Sequence, residues 1–407
     1  MNLLFALTLF VLLNGINNEI TIPIIKRSCS VNRGFIENSD ILNNTDFKCL
    51  VATFNIGSPK EPFSLLIDTS NVESWVFSIE LKKEVTKCYD TKKSITYIDI
   101  KNMPPIHHYQ YSGSSIKDFF MYEGQKQPKN KFLFGLIKYI DDKHFLLKKH
   151  EIKGYNGKLG LFRRYSLLDN EYKIEYSYIS HLKLEGLIKN KRFRMTNDYI
   201  YIDSPPLSEE YQPDKVYQCN NDNVDIPYWY CFIYSLSLKL KTEEINIDII
   251  SEYGFLVSSL PVITAPRDTG NKLFTRIVAR NKQCIITPGD NILFLQCEAI
   301  PKDLSVCFGL KNNNKALCLN KDKLFIKSYD DYRHKDIFVF LIIINKDNVR
   351  LWNFGLPFFQ DNIISFDNDK NTIEIVQTIQ KEHKLIVIIN DIILLIGILL
   401  IIEYRIK

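Results

Sequence analysis

Two short stretches of the sequence carry an aspartate followed by a threonine and a small residue. They are Asp68-Thr69-Ser70 and Asp268-Thr269-Gly270, in corresponding parts of two half-chains. Two carboxyl groups held about 3 Å apart cannot both ionise, so they share one proton and titrate as a pair. Such a pair can act as a base towards water and as an acid towards a carbonyl oxygen. One Asp-Thr-Gly is common by chance and usually marks a turn, whereas two in corresponding parts of the half-chains are much less common by chance.

The elements that must hold these aspartates are predicted to be strands. Between about residues 45 and 380, short apolar runs rich in β-branched and aromatic residues alternate with polar turns. Clear examples are residues 50–56, 63–67, 75–79, 199–202 and 338–344. Helical periodicity is best at residues 176–189 and 275–280, and residues 203–208 are typical of a junction. An all-β body in two halves is therefore expected.

Composition excludes several classes of function. The chain is 45% hydrophobic with a net charge of +5, and its scattered lysines give no nucleic-acid footprint. Nine cysteines without a CxxC spacing argue against a zinc ribbon or a thioredoxin-type site. In an oxidising compartment they would form disulfides, and the close pairs Cys219–Cys231 and Cys307–Cys318 are predicted as hairpin bridges. No metal or cofactor is expected.

An apolar stretch lies near each end of the chain. Residues 3–13 resemble the hydrophobic region of a signal peptide, so residues 1–18 are predicted to be a leader, with a buried strand as the alternative. Residues 385–402 are just long enough to span a bilayer as a helix, and the basic end favours a cytoplasmic C-terminus over a glycolipid anchor. The sequence predicts a single-pass type I membrane protein of the secretory pathway, with its body in a lumen or outside the cell.

Four stretches of the first half resemble, in order, parts of one protease family. They are residues 54–69, Trp75, residues 109–114, and residues 155–161, which read Tyr-Asn-Gly-Lys-Leu-Gly-Leu. They resemble the stretch up to the first catalytic loop, the following tryptophan, the flap hairpin and the Phe-Asp-Gly-Ile-Leu-Gly-Leu strand of pepsin-like aspartic proteases.

The second half has similar stretches at residues 228–229, 352–355 and 364–367. The chain thus resembles pepsin and the membrane-anchored plasmepsins, with divergent active-site motifs. The resemblance implies an all-β bilobal fold with pseudo-two-fold related lobes. It divides the chain into an N-terminal extension (19–44), an N-terminal lobe (45–206), a C-terminal lobe (207–380) and a transmembrane helix (385–402).

The resemblance also implies roles for the two aspartate loops. Asp68 and Asp268 would form the catalytic dyad, the ionised member activating water and the protonated member binding the scissile carbonyl. Thr69 and Thr269 would make crossed hydroxyl-to-backbone bonds between the loops. Gly270 keeps the small third residue of the motif.

A flap is implied over these loops. Tyr111, together with Gly113, would close over the substrate and exclude water. The Trp75 indole N–H would steady Tyr111, although ordinary core packing is the alternative for both aromatic residues.

Several residues depart from the family pattern around the dyad. Ser70 adds a Cβ where the family has glycine, and Asn71 and Asn271 replace hydroxyl residues. Arg267 stands where the family has an apolar residue on a buried strand, and a buried guanidinium costs several kcal/mol unless it is paired.

Two functions therefore remain open. The first is an active aspartic endopeptidase, and the second is a catalytically impaired pepsin-like module that binds peptides or a protein partner in its vestigial cleft. Both imply a polypeptide partner, attachment to a membrane through the C-terminal helix, and a monomer. A third alternative is an unrelated β-rich surface protein whose Asp-Thr motifs are coincidental.

Overall fold

The computed structural model describes only part of the chain. The described residues are 19–29, 40–71, 73–82, 85, 87–100, 106–108, 111–140, 154–162, 177–221, 228–240, 243–289, 291–310, 316–347 and 350–378. Within these ranges no helix is long and apolar enough to cross a bilayer. The predicted leader and the predicted membrane helix at 385–402 lie outside them.

Strands dominate the described chain, which confirms the prediction of a mainly β protein. The strands of the first half are β1 (Ile20–Pro23), β2 (Ile25–Ser28), β3 (Lys48–Ile56), β4 (Glu61–Asp68), β5 (Trp75–Phe77), β6 (Ile98–Asp99), β7 (Ile106–His108), β8 (Tyr111–Asp118), β9 (Phe120–Tyr122), β10 (Phe132–Ile140), β11 (Gly157–Gly160), β12 (Arg192–Met195) and β13 (Tyr199–Ile202). Those of the second half are β14 (Val216–Asn220), β15 (Tyr230–Leu240), β16 (Glu243–Ile247), β17 (Glu252–Leu256), β18 (Ile263–Ala265), β19 (Cys284–Pro288), β20 (Ile292–Cys297), β21 (Leu304–Leu310), β22 (Ala316–Asn320), β23 (Phe325–Asp330), β24 (Lys335–Phe340), β25 (Ile342–Asn345), β26 (Leu351–Phe354), β27 (Asn362–Asp367) and β28 (Thr372–Gln377).

Helices are short apart from one. They are α1 (Asp40–Asn43), α2 (Tyr178–Leu184), α3 (Leu207–Glu210), α4 (Arg267–Arg280), α5 (Lys321–Leu324) and α6 (Leu356–Gln360), with 3₁₀ turns at Ile79–Leu81 and Pro213–Lys215. The predicted helical stretches at 176–189 and 275–280 correspond to α2 and to the last part of α4. Predicted strand 338–344 is divided between β24 and β25.

Two large sheets are built from different halves of the chain. The ten-stranded sheet has the order β2-β3-β4-β11-β5-β10-β8-β6, with β7 beside β8 and β9 beside β3. The twelve-stranded sheet has the order β22-β21-β15-β17-β26-β18-β25-β20-β24-β23, with β16 beside β15 and β19 beside β20. We call them the N-sheet and the C-sheet. They lie on either side of residue 206, and the predicted division into domains there stays a prediction.

A third sheet joins both halves. Its order is β1-β13-β12-β27-β28-β14, so β12 of the first half pairs directly with β27 of the second half. Arg192 of β12 pairs with Asp367 of β27 in the ladder, and their side chains form a buried ion pair at 2.9 Å. One continuous apolar core contains Phe54 of the N-sheet, Phe366 of this joining sheet and Trp352 of the C-sheet.

The same pairing pattern occurs in both large sheets. In the N-sheet, β11 is parallel to β4 and antiparallel to β5, and β5 is parallel to β10. In the C-sheet, β26 is parallel to β17 and antiparallel to β18, and β18 is parallel to β25. The turn after β4 therefore corresponds to the turn after β17. Whether the sheets form two lobes about a two-fold axis stays a prediction.

Three disulfides lie in the second half of the chain. Cys219–Cys231 and Cys307–Cys318 confirm the predicted bridges. Cys284–Cys297, which was not predicted, joins directly opposed residues of β19 and β20.

Candidate functional site

Asp68 ends strand β4 and begins a tight turn with Thr69 and Ser70. The apolar residues of β4, among them Leu65 and Ile67, are fully buried and fix the strand in the core. Because the turn follows directly, the Asp68 side chain is carried into the interior and is 0% exposed.

Thr69 connects this turn to the turn after β17. Its hydroxyl donates to the carbonyl oxygen of Leu256 at 2.7 Å, and its N–H donates to the Ser258 hydroxyl at 3.1 Å. Ser258 reciprocates, since its N–H donates to the Thr69 hydroxyl at 3.0 Å and its hydroxyl donates to the carbonyl oxygen of Ile67 at 2.9 Å. The predicted crossed bonds exist, but Ser258 makes them in place of Thr269.

The Asp68 carboxylate is surrounded by donors. Its Oδ1 accepts from the N–H and the hydroxyl of Ser70, at 2.9 and 2.6 Å, and from the hydroxyl of Ser259 at 3.0 Å. Its Oδ2 lies 2.8 Å from Nζ of Lys158, whose side chain is 17% exposed. Burial raises the pKa of Asp68, but the Lys158 ammonium and the Ser70 hydrogen bonds outweigh burial and hold that pKa below its ordinary value. Asp68 is therefore an ionised carboxylate in a buried ion pair.

The position that corresponds to Asp68 in the C-sheet is Val257. In the parallel pair of β4 and β11, Gly160 lies opposite Asp68. The pair of β17 and β26 has the same direction, and continuing its register by one residue brings Gly355 opposite Val257. The residue after Val257 makes the crossed bonds, as does the residue after Asp68. Valine offers no proton donor or acceptor at this position.

A buried aspartate turn joined by crossed hydroxyl bonds to an equivalent turn is the arrangement that the sequence resemblance implied. Residues 50–195 match the family model of the eukaryotic aspartyl proteases. The matched stretch contains the Asp68 turn, Trp75, the β7–β8 hairpin and Lys158. No curated protein matches the chain.

Asp268, the predicted second member of the aspartyl protease dyad, does not lie beside Asp68. It is the second residue of helix α4, which begins after Pro266, and it is exposed, whereas Asp68 is completely buried. The prediction fails because the aspartate turn must precede a strand, as Asp68 precedes β5. Asp268 instead follows the corresponding strand, β18.

The second Asp-Thr-Gly attaches helix α4 to the C-sheet. The Thr269 hydroxyl donates at 2.5 Å to the buried Glu252 carboxylate, which also accepts from the Trp352 indole N–H at 2.5 Å. Burial raises the pKa of Glu252. A Cβ at Gly270 would lie 2.5 Å from Cγ1 of Ile344, so only glycine allows this close packing. Neither Thr269 nor Gly270 supports Asp68.

The other departures from the aspartyl protease pattern are also placed by the structure. Arg267, predicted on a buried strand, is exposed in the first turn of α4 and so carries no burial cost. Asn271 belongs to the same helix. Asn71 follows the Asp68 turn, and its carbonyl oxygen accepts from the N–H of Phe162 at 3.1 Å.

A hairpin stands at the position of the predicted flap. Strands β7 and β8 pair with Gly113 opposite Ile106 and with Tyr111 opposite His108. A Cβ at Gly113 would lie 2.0 Å from the carbonyl oxygen of Leu136, so the hairpin is seated tightly on β10.

Trp75 begins β5 of the same sheet and is 1% exposed. Its ring meets that of Phe77 edge-on at 5.0 Å, and Nζ of Lys158 lies 5.8 Å from its centre. The side chain of Tyr111 lies outside the described residues, so its contact with Trp75 stays a prediction.

Lys158, Val257, Ser258 and Ser259 were not among the predicted site residues. A signal for Lys158 was available, because it occupies the isoleucine position in the stretch that resembles Phe-Asp-Gly-Ile-Leu-Gly-Leu. For Val257, Ser258 and Ser259, the available signal was the position of their turn between strands β17 and β18.

Proposed function

We propose that this chain is a catalytically silent pepsin-like module that holds an extended polypeptide in the cleft beside Asp68. The observation that carries the proposal is the pairing of Asp68 with Lys158 while Val257 occupies the equivalent position. Dyad hydrolysis requires two carboxyls that share a proton, one as base and one as acid. Here one carboxyl is missing and the other is held ionised by an ammonium group.

A surface of aromatic rings beside the site supports polypeptide binding. Tyr228 stacks on Phe255 at 4.9 Å, and the ring contacts continue through Tyr253 and Phe232 to Tyr234. We call these five residues the aromatic strip. Its member Phe255 lies two residues before Val257. Tyr228 and Tyr234 are 39% and 43% exposed. Contiguous exposed aromatic surface marks interaction sites, since such rings bury large apolar areas on binding.

Incubation with denatured, carboxymethylated casein between pH 3 and pH 7 tests the silent site. We expect no new fragments from the natural chain. Cleavage that is abolished by Asp68→Asn would instead establish the active endopeptidase, which is the other function left open by the sequence.

Binding is tested with an equimolar library of random decapeptides, the retained peptides being identified by mass spectrometry. We expect a subset to be retained intact and its affinity to fall at least about fivefold in Tyr234→Ala and in Tyr253→Ala, a loss of about 1 kcal/mol. Tyr329→Ala is the matched control, because Tyr329 is 41% exposed on β23, outside the aromatic strip. Retention of no peptide above an unrelated protein would refute polypeptide binding.

The proposal includes a membrane anchor at residues 385–402, with the body in a lumen or outside the cell. Stopping the chain after Lys384 is expected to release a soluble, folded body, because the joining sheet is complete at Gln377. Fractionation of cells expressing both forms measures this. A truncated chain that still sediments with membranes would show that the anchor lies elsewhere.

A further inference from the structure

Three cysteines remain outside the disulfides, and all lie on one apolar cluster. Cys49 is a buried member of the cluster formed by Trp75, Phe77 and their neighbours. Cys29 and Cys88 are half-buried and pack against the same cluster.

Cys29 and Cys49 are brought together by the pairing of β2 with β3. Arg27 lies opposite Cys49, and the N–H of Cys29 donates to the carbonyl oxygen of Phe47 at 3.1 Å. This register makes Cys29 and Cys49 diagonal neighbours on one face of the antiparallel pair. Cys29 comes directly after the end of β2, and its hydrogen bond to Phe47 continues the pairing with β3 by one residue.

The two thiols differ in reactivity. The hydrogen bond with the Cys29 thiol, together with burial, raises the pKa of the Cys49 thiol, which therefore stays protonated. Cys29 is the more exposed of the two, so a dissolved reagent reaches it first.

The segment between these cysteines contacts the C-sheet. We call residues 40–47 the clasp. Leu42 and Phe47 are buried in a cluster with Val262 and Phe294 of the second half. The clasp also reaches β23, where the Thr45 hydroxyl lies 2.9 Å from that of Ser328.

We propose that Cys29 and Cys49 form a fourth, reversible disulfide that closes a covalent ring around the clasp. The Cys29 thiolate attacks a small disulfide such as oxidised glutathione and releases one glutathione thiol. Cys49 then gives up its proton, attacks the Cys29 sulfur and releases the second glutathione thiol. Two protein thiols are oxidised and one glutathione disulfide is reduced.

The bond would close a covalent ring that contains the clasp, between the end of β2 and the start of β3. The three disulfides of the second half are of the kind that persists in an oxidising compartment, where such exchange occurs. A bond at this place restrains the unfolded chain over the whole ring and leaves the folded clasp unchanged.

The experiment equilibrates the folded natural chain with oxidised glutathione and maps its disulfides after acid quenching. We expect the free thiols to fall from three to one, with Cys88 remaining, and the tryptic peptides of residues 28–33 and 49–60 to become linked. The melting temperature is expected to rise by about 3–6 °C and to return after mild reduction.

Cys29→Ser is expected to abolish both the link and the rise in melting temperature, whereas Cys88→Ser keeps both. The proposal is overturned if Cys29 and Cys49 are both still alkylated after oxidation of the folded chain. A link from either of them to Cys88 would overturn it equally, and mapping on the natural chain needs no variant to fold.

Discussion

The double variant Val257→Asp with Lys158→Ile is expected to hydrolyse denatured casein at about pH 4–5. Valine-to-aspartate supplies the missing carboxyl opposite Asp68, and removing the ammonium allows the two buried carboxyls to share a proton. Positioned acid–base catalysis contributes about 10²–10⁴-fold, so we expect a rate at least about 100-fold above that of the natural chain. Fragment release, measured on protein whose folding is confirmed by circular dichroism, tests this.

The single variants serve as controls. Lys158→Ile alone leaves one carboxyl, and Val257→Asp alone leaves Lys158 to keep both carboxyls ionised, so neither should cleave. Adding Asp268→Asn to the double variant should change nothing, because Asp268 is exposed on helix α4. If Asp268→Asn abolished cleavage, Asp268 would belong to the dyad and the assignment of Val257 would be wrong.

Asp68→Asn is expected to lower the free energy of unfolding by about 2–4 kcal/mol. It leaves the mostly buried Lys158 ammonium without its counter-charge, and removing one member of a buried ion pair typically costs about 3–5 kcal/mol. The expected loss is smaller than this because water still reaches part of the Lys158 side chain. In an active dyad the same nearly isosteric change would chiefly remove activity. Urea denaturation at pH 7 measures the loss, with Asp268→Asn as the exposed control expected to stay within about 0.5 kcal/mol.

The same ion pair sets a pH dependence. Because the pKa of Asp68 is depressed in the folded chain, its contribution is fully present above the unfolded value of about 3.9. The contribution is lost as the pH falls through the lower, folded pKa. Asp68→Asn should therefore remove part of the acid sensitivity of the natural chain, and equal acid slopes for both proteins would contradict the ion pair.

Most strands could be predicted because a strand leaves a local pattern in the sequence. Runs such as 50–56 and 63–67 combine β-branched and aromatic residues between polar turns, and each became a buried strand. The pairing of the strands was harder to predict, because partners can be far apart in sequence. Strand β1, for example, pairs with β13 across almost the whole first half of the chain. The helix beginning at Arg267 was predicted only over residues 275–280, although an acidic residue in the first turn, Asp268, is typical of a helix start.

The candidate site was half predictable for a physical reason. Asp68 was found because its turn keeps the Asp-Thr sequence of the motif. The equivalent turn after β17 reads Val257-Ser258, so only its position between two strands identifies it. Asp68 precedes Trp75 by the same number of residues as Val257 precedes Thr264, and these two partners occupy equivalent places beside β11 and β26. A search for the Asp-Thr-Gly motif selects Asp268. A comparison of positions between equivalent strands selects Val257.

The joining sheet has a consequence for biosynthesis. Its middle pairing, between β12 and β27, unites residues that leave the ribosome about 170 positions apart. Until β27 and β28 emerge, the open edge of β12 is a template for association with other chains. Chaperone dependence during translation should therefore end only with the last strands, and nonsense changes before residue 362 should yield aggregates rather than a free N-sheet.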